Sequence, residues 1–266
     1  MDQKKFDIGE ALSFGWETFK ANIGFLILVL LIIWVVEAIF SVPGSFAYRN
    51  GALYVFNILS FLVGIFVSIA IIKVSLRYTY GQNADFTDLY TGYPYYLNML
   101  GGSILYALIV IGGLILLIVP GIYWGIRYQF YGYIIIDQDL SPVEAIKKSG
   151  RIARGEWWHL LLFTLAVIGV NFLGALACGI GLFVTVPLTY VAHAYVYRRL
   201  AYAVAMQEGA MAPPPAMPQP TVPQPSPMQP AQPPAMPPQQ PPVPPAQPPA
   251  MPPQQPPVPP GQPPQG

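Results

Sequence analysis

Within residues 116 to 137, LLIVPGIYWGIRYQFYGYIIID, Arg127 is the only formal charge before the closing aspartate. A guanidinium has five N–H donors to place, so among aliphatic and aromatic neighbours it calls for a carboxylate, a hydroxyl or an anionic ligand. Glu37, inside LLIIWVVEAIF, is the carboxylate set most clearly within an apolar run. We therefore expect an ion pair between Glu37 and Arg127, with Gln129 and His193 as further polar groups inside the bundle and Asn57 and Asn171 near them. Such a pair fixes helix packing or lends its arginine to an anionic headgroup or substrate. His193 is expected to be a hydrogen-bonded packing residue rather than a proton relay.

A second cluster lies in SPVEAIKKSGRIARGEWW, where Lys147, Lys148, Arg151 and Arg154 form the polar side of an amphipathic pattern. These residues suit contact with anionic lipid headgroups, each charge contributing about 1 kcal/mol near a surface. Anchoring the topology explains them equally well. Catalytic constellations are missing: there is no GK[ST] phosphate loop, no HExxH, no GxSxG and no paired carboxylates in a plausible pocket. Two histidines and the single Cys178 offer neither a metal cluster nor a disulfide, so no cofactor, no metal and no enzymatic activity are expected.

The elements that must hold these residues follow from composition. Of 266 residues 54% are hydrophobic and 9% charged, against about 25% charged in an ordinary soluble domain. That is the composition of a membrane protein. A net charge of +1 provides no field for nucleic acid. The first apolar stretch begins at Asn22 and shows no cleavage signal, so a retained membrane helix is expected.

Internal repetition organises the chain. A shift of 77 residues carries Leu12, Gly15, Trp16 and Phe19 onto Leu89, Gly92, Tyr93 and Tyr96, and Val42-Pro43-Gly44 onto Val119-Pro120-Gly121. A shift of 67 carries Gly112 onto Gly179, Val119-Pro120 onto Val186-Pro187, Tyr123 onto Tyr190 and Tyr128 onto Tyr195. The expected fold is an all-α membrane protein of six transmembrane helices, built as three repeats of an interfacial helix plus a transmembrane hairpin. Spans are expected at residues 22–41, 52–76, 97–112, 114–138, 157–178 and 181–204. The turn between the third and fourth is placed at Gly112-Gly113, by analogy with Gly179-Ile180-Gly181, in preference to Pro120-Gly121. Prolines 120 and 187 then fall near helix starts, where a missing N–H is tolerated.

The interfacial helices carry readable start signals. Ser141-Pro142-Val143-Glu144 provides a capping serine, a proline in the first turn and a glutamate that closes a capping box. Asp7-Ile8-Gly9-Glu10 has a similar layout. Ile8, Ala11, Leu12, Gly15, Trp16 and Phe19 share one face of the first such helix. Both helices are expected in the headgroup plane, whereas Pro94 interrupts the middle copy. The tyrosines at 123, 128, 131, 133, 190, 195 and 197 are expected to pack with hydroxyls satisfied across helices.

With a cytoplasmic N-terminus, Lys4, Lys5, Lys20, Lys73, Arg77, Lys147, Lys148, Arg151, Arg154, Arg198 and Arg199 flank the inner side and only Arg49 the outer. The positive-inside bias then leaves both termini in the cytoplasm of a multi-pass cell (inner) membrane protein. The domain boundary falls near Glu208, giving a six-helix domain at 1–208 and a disordered tail at 209–266. All prolines but Pro43, Pro94, Pro120, Pro142 and Pro187 lie in that tail, which carries no charge and contains AQPPAMPPQQPPVPP twice, at 231–245 and 246–260. Such a segment populates extended polyproline II and serves as a spacer or as bait for a cytosolic protein with an aromatic-lined groove.

GWETFKAN before the first span, VPGIYWGIRYQF in the fourth and IIDQDLSPVEAIKKSGRIARGEWW before the fifth resemble the membrane domain fused to some glycerophosphodiester phosphodiesterases. The resemblance covers about residues 5 to 205 and implies a prokaryotic six-helix membrane domain. The hydrolase barrel with its acidic metal site is absent, so no hydrolase activity follows. The leading functional expectation is a non-enzymatic membrane scaffold that recruits a partner through its tail. The alternatives are a transporter or lipid-handling protein with a polar cavity around Arg127, Gln129 and Glu37, and a modulator of a membrane enzyme.

Overall fold

The computed structural model describes residues 6–46, 53–177 and 179–209. Expectations that fall on Lys4, Lys5, Arg49, Cys178 and the tail beyond Gly209 lie outside the described residues. All described residues belong to one compact unit within Met1–Val222. Every regular element among them is helical: α1 (Ile8–Ala21), α2 (Ile23–Phe46), α3 (Leu53–Thr79), α4 (Thr87–Tyr90), a 3-10 turn (Tyr93–Tyr95), α5 (Tyr96–Leu116), α6 (Ile118–Tyr128), α7 (Tyr131–Gln138), α8 (Pro142–Ile152), α9 (Trp157–Leu176) and α10 (Leu182–Gln207). Three stretches, Tyr54–Thr79, Thr87–Leu116 and Trp157–Leu176, are long and apolar enough to cross a membrane. A fourth is added if α1 and α2, bent by 94° at Asn22, are taken together.

Local chemistry sets the helix starts. Asp7 accepts the Glu10 backbone N–H at 3.1 Å and opens α1. Ser141 and Glu144 exchange capping bonds at the start of α8, with Pro142 in the first turn. The Ser141 hydroxyl, and after it the Ser141 backbone N–H, donate to the Glu144 carboxylate and hold it below the usual carboxylate range. The middle copy reduces to α4 and the 3-10 turn that holds Pro94.

α10 is the hub, packed against α1, α2, α3, α8 and α9. Gly15 lets α1 approach so closely that an added Cβ would lie 2.5 Å from the Leu188 carbonyl oxygen. Phe14 packs on Tyr195 at 4.9 Å between ring centroids, and Arg199 donates to Glu10 at 3.0 Å. The apolar stripe of α1 is thus met largely by protein, although Trp16 remains 44% exposed. α8 likewise buries Ala145, Ile146, Ser149 and Gly150 and packs on α5, α6, α7 and α10.

Two expectations about the middle of the chain require correction. The turn lies at Leu117, an extended residue at φ −165° and ψ 149°, and not at Gly112-Gly113. Gly113 and Gly121 face each other across the hairpin, where a Cβ on Gly113 would lie 2.8 Å from the Gly121 Cα. These glycines bring the two arms together; they do not bend the chain. Gly174 and Gly181 do the same between α9 and α10, at 2.7 Å by the same measure. The hairpin tip, Ile115 to Val119, is apolar throughout and each of its residues is 68% to 80% exposed.

The expected span 114–138 is two helices, α6 and α7, separated at Gln129-Phe130. Ser149 of α8 occupies the break: its hydroxyl accepts the Phe130 N–H at 3.2 Å and donates to the Arg127 carbonyl at 3.3 Å. The copies also differ in register, since Pro120 is the third residue of α6 while Pro187 is the sixth of α10.

Candidate functional site

The centre of the bundle holds a cavity in two adjoining lobes that share Ser68, Ile71, Tyr131 and Tyr190. The larger, about 540 Å³, reaches Glu37, Trp34, Phe61, Gly64 and Ser103. The smaller, about 260 Å³, is lined by Gln129, His193, Met99 and Tyr133 among others. α2, α3, α5, α7 and α10 therefore all contribute wall. Among the described residues no basic side chain lies within ion-pair distance of Glu37.

Backbone and side-chain bonds orient the lining. Ser68 donates to the Gly64 carbonyl at 2.8 Å, and Ser103 and Tyr131 share a hydroxyl bond at 3.0 Å. Gln129 Nε2 donates to the Ile126 carbonyl at 3.0 Å, leaving its amide oxygen for the cavity. His193 Nδ1 lies 3.0 Å from the Thr189 carbonyl, and its ring meets Phe163 edge-on at 4.9 Å. A donor at Nδ1 leaves Nε2 as an acceptor.

Arg127 stands apart from this cavity. It donates to Tyr123, four residues back, at 2.8 Å, and its guanidinium lies 5.7 and 5.9 Å from the Tyr123 and Tyr128 rings. Its Nε is buried without a hydrogen-bond partner, as is the indole nitrogen of Trp157, whose ring lies 5.8 Å from that of Tyr123. The expected Glu37–Arg127 ion pair is absent: the guanidinium is held locally by a hydrogen bond to Tyr123, one helical turn back, and by the Tyr123 and Tyr128 rings, and Glu37 faces the cavity instead. Asn57 is exposed on α3, and Asn171 donates to the Val167 carbonyl and to Thr189.

Lys147 and Arg151 are exposed on α8, Lys148 is partly buried and Arg154 is exposed beyond its end. Arg151 also lies 3.8 Å from Glu208.

Two polar clusters at the opposite end of α3 from Leu53 were not singled out by sequence. Asp88, 2% exposed, receives Arg77 at 3.2 and 3.3 Å, lies 3.8 Å from Lys73, and accepts the Asp85 N–H at 3.1 Å. Asp137 accepts the Tyr80 and Tyr197 hydroxyls at 2.5 and 2.7 Å. Burial first, and then the bond to Asp137, pushes the Tyr80 phenol up to about 12. Arg198 stacks 3.7 Å over the Tyr80 ring and donates to the Thr79 carbonyl at 2.6 Å, closing the C-terminus of α3.

The described residues form an all-helical fold with three to four helices apolar enough to span a membrane and a partly open cavity, lined by apolar and polar side chains, among its helices. The chain belongs to the family described as "Protein of unknown function (DUF975)", whose family model matches residues 51–203. It is 30% identical over 118 residues to the uncharacterized protein Mb2590 of Mycobacterium bovis and equally to MT2637 of Mycobacterium tuberculosis. It is 29% identical to Rv2560 of Mycobacterium tuberculosis over the same length. These matches cover 44% of this chain and 36% of each relative, so the matched region spans about a third of the curated relatives' length. No solved structure matches the chain.

Proposed function

We propose that this chain is a multi-pass, non-enzymatic protein of the cell membrane that receives a small ligand in the central cavity. The carrying observation is the lining of the larger lobe: Glu37, Ser68, Ser103, Tyr131 and Tyr190 converge inside a bundle whose outer surface is apolar. Polar and ionisable groups within a membrane domain are expensive, and they mark ligand or ion paths more often than packing. A volume of about 540 Å³ falls within the roughly 300–1,000 Å³ typical of small-molecule sites.

Six crossings follow if α2, α3, α5, α6 with α7, α9 and α10 each traverse the bilayer. Four contacts gather the basic flanks at one end of the bundle, since Arg77 meets Asp88, Arg198 meets Thr79, Arg199 meets Glu10 and Arg151 meets Glu208, and the positive-inside bias favours the cytoplasm for that end. The resemblance to the phosphodiesterase-associated membrane domain favours a lipid-derived ligand, with no hydrolysis assigned to this chain.

The test is mass spectrometry of small molecules retained by the purified full chain, compared with Gly64→Leu. A Cβ at Gly64 would meet only Glu37 Oε1, at 3.7 Å, so a larger side chain starts without a backbone clash and occupies part of the lobe that Gly64 lines. A ligand retained by the wild type and lost from the folded variant supports the proposal. Identical content in the two counts against it.

The duplicated 15-residue segment of the tail favours a second role, recruitment of a cytosolic partner. Deleting residues 209–266 would then remove a co-purifying protein and leave the bundle folded. An unchanged set of partners removes that role.

A further inference from the structure

The sign of the charge in the larger lobe narrows the ligand. Among the described residues Glu37 is its sole formally charged lining residue, and no described lysine, arginine or histidine lies within ion-pair distance of it. Arg127, the natural counter-charge on sequence grounds, is turned away and held by Tyr123. A carboxylate that lines a cavity with no basic group beside it is a point of attraction for a cation.

The remaining wall suits an organic cation better than a bare metal ion. A hard metal ion requires several oxygen ligands converging on one point, and around Glu37 the described residues provide hydroxyls spread over four helices, Ser68, Ser103, Tyr131 and Tyr190, and not a second carboxylate. Trp34, Phe61, Tyr131 and Tyr190 contribute aromatic wall on four helices. Aromatic faces attract a positive charge through their quadrupole and cover an apolar body at the same time.

We propose that the larger lobe is a binding site for a monovalent organic cation, its charge met by Glu37 and its apolar body laid against Trp34, Phe61, Tyr131 and Tyr190. This rests on the reading of the cavity as a ligand site and adds the charge class of the ligand. Ser68 and Ser103 lie where a polar substituent of the ligand can be received.

The experiment uses two probes of nearly the same shape and opposite charge, tetraphenylphosphonium and tetraphenylborate, measured by equilibrium dialysis against the full chain in a neutral detergent. Binding to the wild type is expected to be saturable and to favour the phosphonium. In Glu37→Gln the preference is expected to fall by about tenfold or more, equivalent to ~1.4 kcal/mol. Glu37→Asp is expected to retain most of it, and the thermal midpoint of both variants is recorded so that misfolding is distinguished from loss of charge.

Equal binding of the two probes to the wild type, an unchanged preference in folded Glu37→Gln, or no saturable phosphonium binding overturns the proposal. Equal binding of both probes that is abolished by Gly64→Leu leaves the cavity as a ligand site and removes only its cation selectivity. Binding of neither probe, together with no difference in retained ligands between wild type and Gly64→Leu, removes both.

Discussion

Asp88 is the most consequential single polar residue outside the cavity, and its removal can be worked through quantitatively. Its carboxylate is 2% exposed and carries two N–H bonds from Arg77, a longer contact to Lys73 and the Asp85 amide. Breaking a fully buried pair costs about 3–5 kcal/mol, and a hydrogen bond to a charged group contributes about 1.5–3 kcal/mol. Arg77 is 46% exposed, so water screens its share and the lower end applies. Asp88→Ala should therefore destabilise the bundle by about 2–3 kcal/mol, and Asp88→Asn, which keeps an acceptor for the Asp85 amide, by about half as much.

The loss should reach the cavity as well. Asp88 ties the segment before α5 to α3, and the Tyr96 hydroxyl continues the tie through the Leu62 carbonyl at 3.0 Å. That segment sets the position of Ser103 on α5. The assay is reversible unfolding in mixed micelles followed by tryptophan fluorescence, with an Asp88→Ala, Arg77→Ala double-mutant cycle. A loss below about 0.5 kcal/mol for Asp88→Ala, or additivity of the two changes, would refute the reasoning.

Gly121→Val should push the α5–α6 arms apart, because a Cβ there would lie 2.5 Å from Leu114 Cγ and 2.8 Å from its backbone nitrogen; a cost of about 1–3 kcal/mol is expected in the same unfolding assay. Arg198→Met keeps the length of the chain but leaves the Thr79 carbonyl unmet and removes the stack on Tyr80. Amide exchange at the C-terminal turn of α3 should rise in that variant while exchange at α5 stays constant. The folded pKa of Glu144 lies below its unfolded value, so its contribution to α8 is complete above the ordinary carboxylate range and fades as pH falls through that range toward the lowered value. Amide protection in the first turn of α8 should follow that acidic profile, and Ser141→Ala should flatten it.

What was legible in the sequence was mostly local. Both capping arrangements, the apolar faces of α1 and α8 and the existence of long apolar helices follow from residue types at fixed spacing. The hairpin turn was misplaced because a glycine pair carries two meanings, a bend or a close approach, and only the neighbour across the gap decides between them. Gly113 and Gly121 are such neighbours. The supposed partner of Arg127 was chosen by opposite charge, whereas Tyr123, one helical turn away, is already in place before any tertiary contact forms. The cavity was hidden for the converse reason. Ser68, Ser103, Tyr190 and Glu37 sit on four different helices, and nothing in the spacing of one helix reports which side chains of the others it will face.

The naked tip from Ile115 to Val119 bears on how the protein meets its surroundings. Its single extended residue leaves no stranded amide, since Leu117 N–H reaches the Gly113 carbonyl at 2.9 Å and its own carbonyl receives Gly121 N–H at 3.4 Å. An oily elbow with its central peptide hydrogen-bonded on both sides can rest among acyl chains without surfacing on the far side. Whether it stops short or emerges, a chain that enters a bilayer through α5 and leaves it through α6 comes back on the side it left. The bookkeeping of sidedness for everything downstream is therefore immune to bilayer thickness, and thin or thick host membranes should leave the location of the C-terminus unchanged.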